Sequence, residues 1–141
     1  MRVCIPDVVS EDEAKNLRSD PVYLSFEDPR LYNILELVRS TCDASTDGSA
    51  YVRVESRKEG HPWHTDTGNK GHMSWCGYSA RLLLDPESSF TGGGFYFKDE
   101  PDTPIFGYRQ LWIYDPRPEN THFVASHKGQ RRVLLMFFTT S

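Results

Sequence analysis

The chain has 141 residues with a formal net charge of -4, and hydrophobic, aromatic and charged residues make up 38%, 13% and 26% of it. That length suits one domain with one core, and that balance of residues excludes a disordered or fibrous chain. Lys and Arg are spread thinly, so no basic stripe gathers phosphates and nucleic acid is not expected as a partner.

The N-terminal third reads as helical. Ser10 followed by Glu13 has capping-box spacing and opens a short helix over 11–18. Asp28-Pro29 reads as the N-cap and first residue of a second helix, in which Leu31, Ile34, Leu35 and Val38 repeat as an apolar stripe. That stripe needs an apolar partner, and a sheet is expected to supply it. Ahead of both, the opening segment is broken at Pro6 and Asp7 before an apolar run could serve as a signal-peptide core, and no later stretch approaches bilayer length. The three cysteines, Cys4, Cys42 and Cys76, form no close pair, which favours a reducing compartment. A soluble, cytoplasmic protein with no membrane partner is expected.

From about residue 50 the period changes, and short β-branched and aromatic runs alternate with Gly, Pro, Asp and Asn clusters. Strands are expected at 51–55, 81–84, 94–97, 110–114, 122–125 and 132–139. Many short strands without helices between them predict a mostly β fold, an antiparallel sandwich or jelly-roll-like barrel flanked by the N-terminal helices. The expected layout is a single domain over 1–141, with 1–49 as helical support and 50–141 as the β-barrel core.

Within the β part, His64-Thr65-Asp66 follows the first strand. In an extended segment residues two apart project to the same side, so an imidazole and a carboxylate can meet one ion. Chance also produces such a pair, and more is needed. His122 lies 56 positions beyond Asp66, and Arg131 follows nine residues after it, just past Gly129. Between the two motifs runs Phe90-Thr91-Gly92-Gly93-Gly94-Phe95. Together these features resemble the pattern of the 2-oxoglutarate/Fe(II) oxygenases of the prolyl-hydroxylase type, over roughly residues 50 to 138.

The resemblance implies a double-stranded β-helix (jelly-roll or cupin-like) barrel of about eight strands. It also implies Fe(II) held by His64, Asp66 and His122, with 2-oxoglutarate and O2 as cosubstrates and ascorbate as an accessory reductant. The implied reaction is oxidative decarboxylation to succinate and CO2 with hydroxylation of an unactivated C–H bond, first of all on a prolyl residue in a peptide or protein. The residue types suit that chemistry. Two imidazoles and one carboxylate occupy one face of an octahedral ion and leave adjacent positions open. The distal carboxylate of 2-oxoglutarate needs a permanently charged, forked donor, and Arg131 offers one. Arg132, its neighbour, faces the opposite side of a strand.

One departure stands out. The family often has a Tyr about nine residues before the first metal His, where this chain has Glu55. Tyr78 is the substitute expected beside Arg131, and Val124 joins them as a cosubstrate-binding candidate. Other residues carry plainer expectations. His61, His72 and His127 read as solvated loop histidines, with His127 the rival to His122. The glycines suit a bulge or tight turn. Trp63, Trp75, Trp112, Phe137 and Phe138 read as core or sheet-face aromatics, with Trp63 placed to line the mouth of the site. Cys76 reads as a small buried side chain rather than a ligand. Segments 56–63 and 67–77 are expected at the barrel mouth, where Arg57, Lys58, Trp63, Lys70 and Trp75 suit an extended peptide. Two alternatives stay open: the same chemistry on a free amino acid, small metabolite or alkylated base, and a non-catalytic jelly-roll binding module.

Overall fold

The computed structural model describes residues 1–19, 22–67 and 73–141. The chain begins with strand β1 (Arg2–Ile5) and helix α1 (Glu11–Arg18). The expected capping box is formed: Ser10 Oγ accepts from the Glu13 amide at 3.0 Å, and Glu13 accepts from the Ser10 amide at 2.9 Å. After β2 (Tyr23–Leu24), Asp28 caps a 3-10 turn over Pro29–Leu31 that leads into helix α2 (Tyr32–Thr41). The first turn of α2 therefore begins slightly later than Pro29 because the entry is wound more tightly.

The strands that follow are β3 (Ala44–Ser45), β4 (Tyr51–Glu55), β5 (His61–His64), β6 (Tyr78–Leu83), β7 (Phe90–Gly92) and β8 (Phe95–Phe97). Then come β9 (Leu111–Tyr114), β10 (His122–Val124), β11 (His127–Gly129) and β12 (Val133–Thr140). The major sheet runs β1-β9-β6-β12-β4-β2, with β3 also on β12, and all of these strand pairs are antiparallel. Facing it are the smaller β5-β10-β8 sheet and the β11-β7 pair. This is the jelly-roll architecture expected. The N-terminal 49 residues give more than helical support, however, since β1, β2 and β3 all join the major sheet. Two of these strands have only two residues, too short to show a period.

Strict alternation sorts the major sheet into two faces. On β12, Leu134, Met136 and Phe138 join Val52, Val54, Ala80, Leu82 and Ile113 in a core covered by Leu17 of α1 and by Ile34, Leu35 and Val38 of α2. The stripe of α2 thus meets a sheet, as its period requires. On the other face Val133, Leu135 and Phe137 look toward the smaller sheet and line a cavity. The register makes the cavity-side rungs explicit. Arg53, Leu135, Arg81 and Trp112 stand side by side across β4, β12, β6 and β9, and Tyr51, Phe137, Ser79 and Tyr114 form the next rung.

Candidate functional site

The cavity between the two sheets has a volume of about 450 Å³. At one end, β5 and β10 pair with His64 opposite His122, which places both rings on the inner face. Asp66 follows β5 by two residues and turns into the same space, with only 9% of its surface exposed. Its Oδ1 lies 3.2 Å from His122 Nε2 and 3.6 Å from His64 Nε2. One ligand atom from each of the three groups falls within 4.8 Å of the others.

The backbone fixes how the rings present themselves. His64 Nδ1 lies 2.7 Å from the Pro62 carbonyl, and His122 Nδ1 lies 2.9 Å from the Asn120 carbonyl. A carbonyl only accepts, so each Nδ1 donates its proton there and each Nε2 turns toward Asp66, the nitrogen left to serve as a ligand. Asn120 is itself clamped. Its amide donates to the carbonyls of Met1 and Asp115 and to the Asp115 carboxylate, while Arg2 Nε donates to its Oδ1 at 3.0 Å. Phe95 stacks on the His122 ring with centroids 4.9 Å apart.

The site is charged in a way that suits a cation. Burial disfavours the Asp66 carboxylate, yet His122 and His64 beside it hold its pKa well below the usual carboxylate range. Burial likewise opposes protonation of His64, but Asp66 and the Pro62 carbonyl raise its pKa. The other carboxylate oxygen, Asp66 Oδ2, is buried with no hydrogen-bond partner. A buried carboxylate with one oxygen against two aimed imidazoles and the other without a hydrogen-bond partner is the donor set a divalent transition metal takes, with room for further ligands on the cavity side.

Beyond these three residues the cavity is lined by Tyr51, Arg53, Glu55, His61, Arg81, Tyr114, Val124 and Arg131. Arg131 is buried and Arg132 is turned away, where its amide and guanidinium hold the buried Asp85 carboxylate at 2.7–2.9 Å. Glu55, nine residues before His64, lies in the cavity wall between His61 at 3.2 Å and the Arg53 guanidinium. Burial opposes its ionisation, but His61, Arg53 and Arg131 together lower its pKa.

Tyr78 is not brought to the site. It lies on the even-numbered side of β6, packed against the helix-covered core, because alternation puts it opposite Ser79 and Arg81. Tyr114 is the tyrosine that lines the cavity, a fully buried phenol whose pKa is pushed well up by burial and by the nearby Asp66 charge. Sequence reasoning missed Tyr114, Ser79 and Arg81. The signal available was alternation: β4 puts Tyr51, Arg53 and Glu55 on one face and β6 puts Ser79 and Arg81 on one face, a polar side that lines a cavity rather than bulk water.

The remaining histidines and aromatics also sort clearly. His127 is no solvated loop residue. It is 6% exposed on β11, opposite Gly92, and neither ring nitrogen has a partner. His61 is half-buried in β5 and bonded to Glu55, while His72 and Lys70 lie outside the described residues. Trp63 points away from the cavity, because it alternates with His64. It contacts Phe123 on the outer face of the small sheet. Trp75 packs edge-on to Tyr51 at 6.0 Å and so does stand beside the cavity wall. Cys76 is buried as expected, its thiol pushed up to about 11 chiefly by burial. No helix among the described residues is long and apolar enough to cross a membrane.

No family model matches the chain, and no curated protein matches it either. Solved structures do. A viral collagen prolyl hydroxylase from Paramecium bursaria Chlorella virus-1, also solved as a 2OG complex, superimposes with a TM-score of 0.69 at 15% identity, covering 99% of this chain and 90% of its own. A Pseudomonas putida prolyl-4-hydroxylase gives 0.69 at 12% identity, covering 99% and 92%. A Trichoplax adhaerens prolyl hydroxylase, in complex with a hypoxia inducible factor oxygen degradation domain peptide fragment, gives 0.66 at 13% identity, covering 99% and 83%. The chain therefore shares the fold of these solved prolyl hydroxylases.

Proposed function

We propose that this protein is an Fe(II)- and 2-oxoglutarate-dependent dioxygenase that hydroxylates a C–H bond, with a prolyl residue in a peptide or protein as its first-choice substrate. The observation that carries this reading is the convergence of His64, Asp66 and His122 within 4.8 Å in a cavity that also holds the buried Arg131.

In this reading His64, Asp66 and His122 hold the metal. When bound, ferrous iron with a 2-oxo acid supplies the O2-dependent oxidising chemistry. The protein's part is positioning. The Pro62 and Asn120 carbonyls fix the two imidazoles so that each offers an unprotonated Nε2. Asp66 contributes the only acidic group of the cluster. Arg131 receives the distal carboxylate of the cosubstrate through a charge-assisted, forked pair, and Val124, two residues beyond His122, closes the same wall. Phe95 and the apolar side chains of β12 exclude water around these groups, which strengthens each polar contact.

The prolyl preference draws on the structural neighbours and on the position of Trp75 and Met73 beside Tyr51, where an extended peptide could lie across the opening. The test is incubation with Fe(II), 2-oxoglutarate, air and proline-containing peptides, reading succinate and a mass gain of one oxygen on proline. Succinate release stimulated by a non-peptide metabolite, with no peptide modified, would reject the prolyl assignment and keep the oxygenase. Absence of any 2-oxoglutarate turnover, with His122→Ala indistinguishable from the parent in metal binding, would leave the fold serving as a binding module.

A further inference from the structure

Arg81 sits at the centre of the cavity wall, on the rung of β6 that faces Leu135 of β12 and Trp112 of β9. It is 2% exposed, yet no hydrogen bond or ion pair ties its guanidinium to another described residue. Its guanidinium carbon lies over the face of Phe95, 4.2 Å from the ring centroid. Phe95 in turn stacks on His122, so Arg81 stands beside the metal cluster as well as within the field of Arg131. Burial and then the Arg131 charge lower its pKa to about 9, which leaves it charged at neutral pH.

Two buried guanidiniums close enough to repel are costly without an anion between them. The cavity's own acids do not serve. Asp66 is engaged by His64 and His122, and Glu55 is held by Arg53 and His61. Arg81 and Arg131 therefore contribute two positive charges that no carboxylate among the described residues takes up by direct contact.

We propose that Arg81 is a second cosubstrate-binding residue, its guanidinium joining Arg131 on the distal carboxylate of a dicarboxylic 2-oxo acid. The proposal rests on the oxygenase reading above. It makes the cavity more demanding of that carboxylate than one arginine would, because a ligand lacking it leaves two buried cations facing each other rather than one.

Calorimetry on the Mn(II)-loaded protein, with 2-oxoglutarate and with 2-oxovalerate as probes, tests this without turnover. The parent should prefer 2-oxoglutarate strongly, since 2-oxovalerate has the same carbon chain and no distal carboxylate. Arg81→Met should weaken 2-oxoglutarate by roughly 10- to 100-fold and leave 2-oxovalerate unchanged. The metal-free variant should be as stable as the parent or more so, because an unpaired buried charge has been replaced by an apolar side chain of similar length. Arg81→Lys keeps the charge but loses the fork, so it should lose part of the preference. That variant decides the matter if Arg81→Met does not fold. An undiminished preference in either variant, or an equal loss of both probes, overturns the role of Arg81. If the parent itself binds no 2-oxoglutarate, the cosubstrate reading falls and takes this proposal with it.

Discussion

Glu55 carries a carboxylate into the cavity at a position where the resembled pattern often has a tyrosine, and its surroundings decide its pH behaviour. Burial works against its charge, but His61, Arg53 and Arg131 hold its pKa below the ordinary 4.5. A depressed carboxyl stabilises the folded state above its unfolded pKa, and that contribution is lost as pH falls through the folded value. Glu55→Gln should therefore destabilise the protein by roughly 1–2 kcal/mol at neutral pH. The gap from the parent should shrink below about pH 4, as followed by urea denaturation at several pH values. A gap that widens toward acid would contradict the assignment. The two neighbouring arginines should separate just as cleanly. Arg131→Ala should weaken 2-oxoglutarate binding by roughly 2–5 kcal/mol. Arg132→Ala should leave that binding alone and cost about 1–3 kcal/mol of stability, since it abandons the buried Asp85 to Arg18 alone. Equal effects on binding from both would show that the alternation argument fails here.

Among the elements, the glycine-rich turn between β7 and β8 has the most specific task. Gly92 and Gly93 both have positive φ, 76° and 74°. A Cβ on Gly93 would lie 2.6 Å from Cδ of Arg131. The missing side chain is what lets Arg131 pass into the cavity. Gly93→Ala should thus cost about 1–3 kcal/mol of stability from backbone strain. It should also weaken 2-oxoglutarate binding, a second effect that strain alone would not produce and that calorimetry would detect. The sequence revealed this turn as a glycine cluster but not its purpose, because a close approach between distant segments leaves no local signature. Legibility followed the same rule elsewhere. The capping box at Ser10, the stripe of α2 and the long apolar β12 could be read because their determinants are neighbours in sequence. That His64, Asp66, His122 and Arg131 meet in one cavity could be anticipated through a spacing pattern. Arg81 could not, since an arginine on a strand is ordinarily a solvated residue, and only the second sheet turns that face into a cavity wall. His127 was misread for the same reason: the opposing Gly92 that shelters it lies 35 positions away.

On the scale of the molecule, the His64, Asp66 and His122 cluster and the N-terminal edge strand belong to one connected structure. β1 pairs with β9 over four residues, and from that edge Arg2 and the Met1 carbonyl reach Asn120, whose own carbonyl orients His122. Outer contacts of this kind typically change metal affinity by about 10- to 100-fold when lost. Removing residues 1–5 should lower Mn(II) affinity on that scale while the core between the major sheet and the helices, which those residues border rather than fill, keeps the chain folded. Titration of Mn(II) with circular dichroism as a folding control would check both halves of the statement.

The clamp on Asn120 also has to work in reverse. Coupling free energy is reciprocal, so if a docked β1 helps the cluster hold its ion, the ion must tighten the docking of β1 by the same factor. An edge strand of four residues is among the first parts of a fold to open, and its amides report that opening directly. Hydrogen exchange at Val3 and Ile5, the alternate positions along the strand, should slow when Mn(II) is added, although neither residue touches the cluster. The edge of the sheet would then serve as a remote gauge of whether the centre is loaded, readable without any substrate.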